Sequence, residues 1–498
     1  MNLPLIDRAK QNEDKIAIVA SEGAFTYHNL LQMSAQIATK LLDNVEDLQE
    51  QRVAFLIPSG FQYVATQWGI WRAGGIAVPL CVSHPKPELD YVIADSGASI
   101  VIAHPDFEAV LRPIAQERNL RFILTSETLP EQVGLLPEID ISRRALILYT
   151  SGTTGKPKGV VTTHQNIQAQ VTSLISAWGW TASDRILHVL PLHHIHGIIN
   201  VLTCALWAGA ECHMLAKFDA QKVWDRISDS DLTLFMAVPT IYVKLIAAWE
   251  NADSDRQKSM SDGCAKMRLM VSGSAALPVQ VLEKWKNISG HFLLERYGMT
   301  EIGMALSNPL QGERLAGYVG KPLPDVEVRL VDEKGNLVAP GTPGEIQIKS
   351  PGVFLEYWQK PEATAKAFRD GWFCTGDFAV VENDSYRILG RMSVDIIKTG
   401  GYKVSALEIE EVLRTHPEIQ DCAVVGVADA EWGERVCAAL VLKTANNLSL
   451  ETFRSWAKER LAVYKVPTQI LAVEELPRNA MGKVTKPSVA QLFCSPSS

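Results

Sequence analysis

Short apolar, β-branched runs alternate with longer amphipathic stretches along the chain, and this alternation limits the fold more than any other feature. Arg52–Ile57, Ile76–Val78 and Ser99–Ala103 read as strands, with helices at Tyr27–Leu42 and Gln62–Arg72. A strand that returns after a helix pairs in parallel, and a parallel sheet needs helical cover on both faces. A second cycle runs through Arg185–Leu190, Leu232–Val238, Met267–Gly273 and Phe292–Tyr297. Two doubly wound α/β halves are therefore expected before residue 310. Ile198–Ala210 is too short to span a bilayer and carries Asn200 and Thr203, so it reads as a buried core helix. From Val326 the pattern changes to short strands between Gly and Pro turns: Glu327–Asp332, Gly344–Lys349 and Asp377–Glu382. These predict a β-rich subdomain. A strand at Tyr386–Leu389 ends on Gly390-Arg391, where a new module opens with a helix at Ala406–Thr415 and strands at Cys422–Val427 and Val436–Val441. An amphipathic helix with Leu450, Phe453, Trp456 and Leu461 on one face follows. The expected class is α/β, with a large N-terminal domain over residues 1–390 and a small α+β domain over 391–498.

Length and composition narrow the partners. The 498 residues are 47% hydrophobic, enough for packed cores, and the net charge of −8 argues against a general nucleic-acid or anionic-membrane surface. A polyanionic small molecule must then be met by local lysines and arginines. No obligatory protein partner is evident. Eight cysteines without a C-x-x-C pair suggest neither a zinc site nor a disulfide framework, and point to a reducing compartment. The N-terminus lacks a basic region ahead of an apolar one, and Ser495–Ser498 is no peroxisomal address, so a cytoplasmic location is expected.

The densest chemistry lies in Tyr149–Val160, directly after the apolar run Ala145–Leu148. Thr150, Ser151, Gly152, Thr153, Thr154, Gly155, Lys156, Lys158 and Gly159 combine hydroxyls, glycines and lysines. Glycines let the backbone approach an anion, hydroxyls and N–H groups donate to its oxygens, and lysines neutralise it. No Ser or Thr follows either lysine, so this is a phosphate cradle of a kind other than the P-loop.

This loop resembles the signature of the adenylate-forming superfamily, which includes acyl-CoA synthetases, luciferases and peptide-synthetase adenylation domains. Tyr297-Gly298-Met299-Thr300-Glu301, Thr375-Gly376-Asp377, Gly390-Arg391, Ile397–Tyr402 and Pro477–Lys483 match its further motifs in order. The resemblance implies an enzyme using ATP, Mg²⁺ and coenzyme A, whose C-terminal domain is a mobile lid. It implies Lys483 at the carboxylate and α-phosphate, Asp377 on the ribose hydroxyls, and Arg391 assisting there and marking the hinge. Tyr297 would lie against adenine, with Glu295, Gly298 and Ser274 also in the nucleotide site. Thr300 would meet the α-phosphate, and Glu301 with Thr153 would hold Mg²⁺. His194 and His196, with Ser272, Gly273 and Met299, would line the acyl pocket, where His196 donates to a substrate oxygen. Gly400, Gly401 and Tyr402 would shape the tunnel for the CoA arm. Here Gly390–Lys398 is one residue longer than the common superfamily form and lacks its lysine, which leaves the hinge position open by a residue or two.

Arg296 carries the substrate reading. Most superfamily members have a small residue there, and an arginine entering an acyl pocket is an unpaired buried charge unless the substrate brings an anion. A guanidinium–carboxylate pair selects a short dicarboxylate. The string Glu295–Glu301 and the segment Ser393–Val404 resemble malonyl-CoA synthetases in particular, implying malonate as substrate. Alternatives stay open: an Arg296 ion pair with Glu295 or Glu301, methylmalonate or another dicarboxylate as substrate, and transfer to a carrier-protein thiol. The last rests on Phe218-Asp219, which is equally an ordinary helix cap. A more remote alternative is an inactive nucleotide-binding relative.

Overall fold

In a computed structural model, residues 3–150, 156–229, 231–429, 431–443, 448–479 and 482–494 are described. The chain divides into two compact units. The first comprises Met1–Arg314, Lys321–Glu327 and Ile348–Phe373, and the second Leu315–Gly320, Val328–Gln347 and Cys374–Ser498.

The first unit holds two helix-covered sheets. One has seven strands, ordered Glu356–Tyr357, Lys158–Thr163, Arg144–Thr150, Ile76–Pro79, Arg52–Leu56, Ile100–Ala103 and Arg121–Leu124. Pairing is parallel from Arg144–Thr150 to Arg121–Leu124, and antiparallel where Lys158–Thr163 folds back. Val53, Ala54, Phe55, Ile76, Ala77 and Val78 are fully buried, as strands covered on both faces must be. The helix Tyr27–Leu42 begins where Thr26 and Asn29 form a reciprocal capping box, and it buries Leu30, Leu31, Ala35, Ala38, Leu41 and Leu42 at helical spacing.

The second sheet has nine strands, centred on Arg185–His188, Leu234–Ala237, Leu269–Ser272 and Leu294–Met299. The paired sheets are those expected, but their membership is not sequential. The N-terminal hairpin Ile16–Ala20/Gly23–Thr26 joins the second sheet by pairing with Glu211–Met214, and Glu356–Tyr357 joins the first by pairing with Lys158–Thr163. The run expected as one core helix is buried, but it starts as a π-helix, His196–Thr203, and continues as the α-helix Cys204–Ala208.

In the second unit, Trp372–Glu382 pairs antiparallel with Ser385–Arg391 beside Gly344–Lys349 and Glu327–Val331. The strand expected from Asp377 thus begins at Trp372. A further sheet runs in the order Tyr402–Ser405, Ile396–Thr399, Gly433–Leu442 and Ile419–Asp429, with Gln469–Ala472 parallel to Gly433–Leu442. It shares a core with the helices Ala406–Leu413 and Leu450–Lys458 through Ile397, Ile409, Leu413, Val424, Val436 and Phe453. Leu450, expected on the apolar face of the latter helix, is exposed, because it occupies the first turn. Among the described residues no helix is long and apolar enough to cross a membrane.

Candidate active site

The glycine- and hydroxyl-rich loop leaves the carboxyl end of the parallel strand Arg144–Thr150, where open α/β sheets bind ligands. Ser151, Gly152, Thr153, Thr154 and Gly155 lie outside the described residues, so their placing is not part of the geometry below. Both flanks of the loop are held. Tyr149 Oη donates to Asp95 Oδ2 at 2.8 Å, and Tyr91 Oη donates to the Pro157 carbonyl at 2.8 Å while lying 3.3 Å from Asp95 Oδ1. Lys360 Nζ approaches Asp95 Oδ1 at 3.4 Å. Burial and the Asp95 carboxylate both raise the pKa of Tyr149, which keeps its phenol a donor. Lys156 Nζ sits 5.5 Å from the Tyr91 ring centre and Lys158 Nζ 5.0 Å from that of Tyr357, placing both loop cations on aromatic faces. Tyr357 Oη donates to the buried Glu301 carboxylate at 2.9 Å. Sequence reasoning missed Tyr91, Asp95 and Tyr357, since none falls in a recognisable motif.

The acyl-site candidates converge in the first unit. Strands Leu269–Ser272 and Leu294–Met299 lie side by side with Ser272 opposite Glu295, which puts Gly273, Ser274 and Arg296 together at their ends. His196 Nδ1 and Ser274 Oγ are 3.2 Å apart, and Arg296 Nη2 donates to the same Oγ at 3.3 Å. A Cβ at Gly273 would overlap the Arg296 guanidinium, so only glycine leaves that side chain its place. Gly298 is crowded in the same way by Gly303 and Met304. Arg296 is 4% exposed, its Nε has no hydrogen-bond partner, and burial lowers its pKa to about 9. Ser272 Oγ is a second buried polar atom without a partner. Neither Glu295 nor Glu301 forms an ion pair with Arg296: among the described residues Ser274 supplies its side-chain hydrogen bond, and no carboxylate charge offsets its burial. Met299 and Thr300 are half-buried at the end of the same strand, and His194 is half-buried in the loop before the π-helix. Asp219 caps the helix Ala220–Asp229, accepting from Lys222 N at 3.0 Å, so the Phe218-Asp219 pair is accounted for by capping.

In the second unit, Arg391 Nε donates to Asp377 Oδ1 at 2.8 Å, and the paired strands hold these residues opposite one another. Thr375 Oγ1 supports the turn, accepting from Asp377 N at 3.1 Å and donating to the Ile346 carbonyl at 2.8 Å. Gly390, at φ 118° and against Asp395 Cβ, has no room for a side chain. Gly400 and Gly401 form a left-handed turn at φ 54° and 82°, and Tyr402 stacks on Tyr464 at 4.3 Å. Lys483 is exposed, on a turn closed by Asn479 N to the Lys483 carbonyl at 2.9 Å and by Lys483 N to Asn479 Oδ1 at 3.0 Å. Arg478 fastens that turn, bonding the Gly482 carbonyl and Asp421, each at 2.7 Å.

A buried guanidinium and a histidine lie in the first unit, and an Arg–Asp pair and an exposed lysine turn in the second. Residues 5–358 match the family model of the AMP-binding enzymes, and residues 408–483 that of the AMP-binding enzyme C-terminal domain. The chain belongs to the AMP-binding enzyme family. It is 47% identical to the mitochondrial malonate–CoA ligase ACSF3 of Bos taurus, over 98% of this chain and 90% of that protein. It is 41% identical to the malonate–CoA ligase of Arabidopsis thaliana, over 96% of this chain and 86% of that one. Its fold matches ATP-bound MatB from Rhodopseudomonas palustris with a TM-score of 0.90 at 32% identity, covering 99% of both chains.

Proposed function

We propose that this chain is an AMP-forming malonate–CoA ligase. The observation that carries the reading is Arg296, a buried guanidinium without a carboxylate partner among the described residues, whose burial a substrate carboxylate would offset. One malonate carboxylate pairs with Arg296 and with the hydroxyl of Ser272 or Ser274. The other attacks the α-phosphorus of ATP, giving malonyl-AMP and pyrophosphate. The CoA sulfur then adds to the anhydride carbonyl, the thioester forms and AMP leaves. A short dicarboxylate fits this division of labour, and the malonate–CoA ligases among the relatives support malonate.

Catalysis of the first step is charge neutralisation as two anions meet. Thr150, Lys156, Lys158 and Gly159 flank the phosphates, Glu295, Tyr297, Gly298 and Ser274 take the adenosine, and Thr300 donates to the α-phosphate. Asp377 and Arg391 hold the ribose. Lys483 acts on the charge that develops at the α-phosphorus, and His196, oriented by Ser274, donates to the reacting carboxylate with His194 beside it. A hard dication takes oxygen donors, and the buried Glu301 carboxylate, steadied by Tyr357, suits Mg²⁺; when bound, the ion neutralises phosphate charge. We assign residues 391–498 to a lid hinged at Gly390-Arg391, presenting Lys483 in one pose and the Gly400-Gly401-Tyr402 turn to the CoA arm in the other. The free cysteines suit a reducing compartment, and we place the chain in the cytoplasm; cell fractionation separates this from the mitochondrion named for the bovine relative.

The deciding measurement is pyrophosphate release from ATP with malonate, methylmalonate, succinate, acetate and butyrate, with and without CoA. Malonate should give the highest rate and malonyl-CoA as product. Release driven best by a monocarboxylate would overturn the substrate assignment, and acyl-AMP that never passes to CoA would favour a carrier-protein acceptor.

A further inference from the structure

Glu410 is a carboxylate where carboxylates are rare. It belongs to the buried face of the helix Ala406–Leu413, at 3% exposure, and a charge so deep in a fold must be paired. Its Oε1 accepts from the Val424 amide at 2.8 Å and from the ammonium of Lys486, the first residue of the helix Lys486–Cys494. Lys486 also donates to the Val424 carbonyl at 2.6 Å and stands 3.7 Å from Asp395 Oδ1. Two runs of contacts leave this pair, both within the second unit. In one, Glu410 Oε2 meets Arg414 at 3.3 Å, Arg414 meets Asp421 at 3.6 Å, and Asp421 meets Arg478, which fastens the Lys483 turn, at 2.7 Å. In the other, Asp395 Oδ2 accepts from the backbone N–H of Arg391 at 3.0 Å, beside the Arg391–Asp377 pair.

We infer that Glu410 and Lys486 are positioning residues for adenylation, the middle links of a charged chain that fixes the Lys483 turn relative to Arg391. A buried ion pair adds little net stability over apolar residues of the same size, because desolvation offsets the attraction. What a chain of such pairs supplies is geometry, since each link orients the next. Cation and anion alternate from Arg478 through Asp421, Arg414, Glu410 and Lys486 to Asp395. Burial raises the pKa of Asp395, while the Lys486 charge and the Arg391 N–H pull against it. Without Lys486 the Asp395 and Glu410 carboxylates would face one another uncompensated.

The two ends depend on the chain unequally. Asp377 and Arg391 are already held opposite one another by the ladder between Trp372–Glu382 and Ser385–Arg391. The Lys483 turn is exposed, and Arg478 ties it to Asp421. Loss of a middle link therefore falls on the lysine.

This inference rests on the role proposed for Lys483 in adenylation, so Lys483→Ala is measured beside it. Three variants of the full chain separate position from stability: Glu410→Gln, Lys486→Met and the two together. Each single change leaves a buried charge uncompensated and should lower the Tm by several degrees, whereas the double change removes both charges and should bring the Tm back toward wild type. Single-turnover formation of malonyl-AMP at saturating ATP and malonate should fall ~10–100-fold in all three, with thiolysis of supplied malonyl-AMP largely spared. In hydrogen exchange read by mass spectrometry, the double variant should exchange faster at the Asn479 and Lys483 amides, while the core peptide carrying Phe453 keeps its wild-type protection. A double variant that regains adenylation together with its Tm makes the chain a stability device and overturns the inference. So does equal loss in both half-reactions, or unchanged exchange at the Lys483 turn. Should Lys483→Ala form malonyl-AMP at the wild-type rate, it is the role of Lys483 that falls; exchange and Tm need no substrate and still decide whether the chain holds the turn.

Discussion

At the scale of single residues, the proposed substrate selection rests on one buried cation, Arg296. Removing one partner of a desolvated charge pair costs ~2–5 kcal/mol, so Arg296→Gly should lower kcat/KM for malonate by at least ~100-fold. The KM for ATP should stay near its original value, and activity toward butyrate should rise relative to malonate, because the cation that excludes an apolar tail has gone. Steady-state kinetics with both acids checks this; a variant that keeps its preference for malonate would return Arg296 to a structural role. The same charge predicts a binding signature. Because burial disfavours the guanidinium in the free protein, a dicarboxylate that pairs with it should raise the Tm more than acetate at equal concentration, and Arg296→Gly should erase the difference. Arg296 stood out in the sequence because the family resemblance implies a small residue at that position. The absence of an ion pair to Glu295 or Glu301 was not legible, because which way a side chain leaves its strand depends on neighbours such as Gly273.

At the scale of elements, both flanks of the proposed phosphate-binding segment are held through Asp95 and Tyr91, residues of the helix Lys86–Ser96. A hydrogen bond to a charged group contributes ~1.5–3 kcal/mol, so Asp95→Asn should raise the KM for ATP by roughly tenfold or more while leaving the KM for malonate near wild type. Tyr149→Phe should do the same. An equal rise in both constants, or a fall in Tm that accounts for the lost activity, would make Asp95 a stability residue only. The segment's composition suggested phosphate binding, whereas the contacts that hold its flanks were not legible, because Tyr91 and Asp95 lie on a helix whose sequence records only that it is a helix. The glycine turn at 400–401 is a second element with a separable task. Gly401→Leu should spare ATP–pyrophosphate exchange and block transfer to CoA, since a would-be Cβ there meets nothing within 4 Å and, if the proposed tunnel holds, would obstruct only the CoA arm. Gly401→Ala, which shares the backbone strain at φ 82° with less bulk, is the control.

At the scale of the whole molecule, the proposed lid would make the half-reactions separable in opposite directions. Lys483→Ala should abolish formation of malonyl-AMP yet largely spare thiolysis of supplied malonyl-AMP, the mirror of Gly401→Leu; equal loss in both half-reactions would remove Lys483 from the adenylation step. The sequence by itself determined the alternation of strands and helices, the helix Tyr27–Leu42 to the residue, and the order of the family's motifs. These are local signals: capping, periodicity and motif spacing are written in neighbouring residues. Only the tertiary structure decided that the hairpin Ile16–Thr26 joins a sheet built from residues far along the chain, and that Glu356–Tyr357 closes the edge of the other. It also decided that Ile198–Ala210 opens as a π-helix. Long-range pairings leave no mark on the segments that make them, because each partner strand is compatible with many edges. The choice among them is made by which buried faces the completed core brings together.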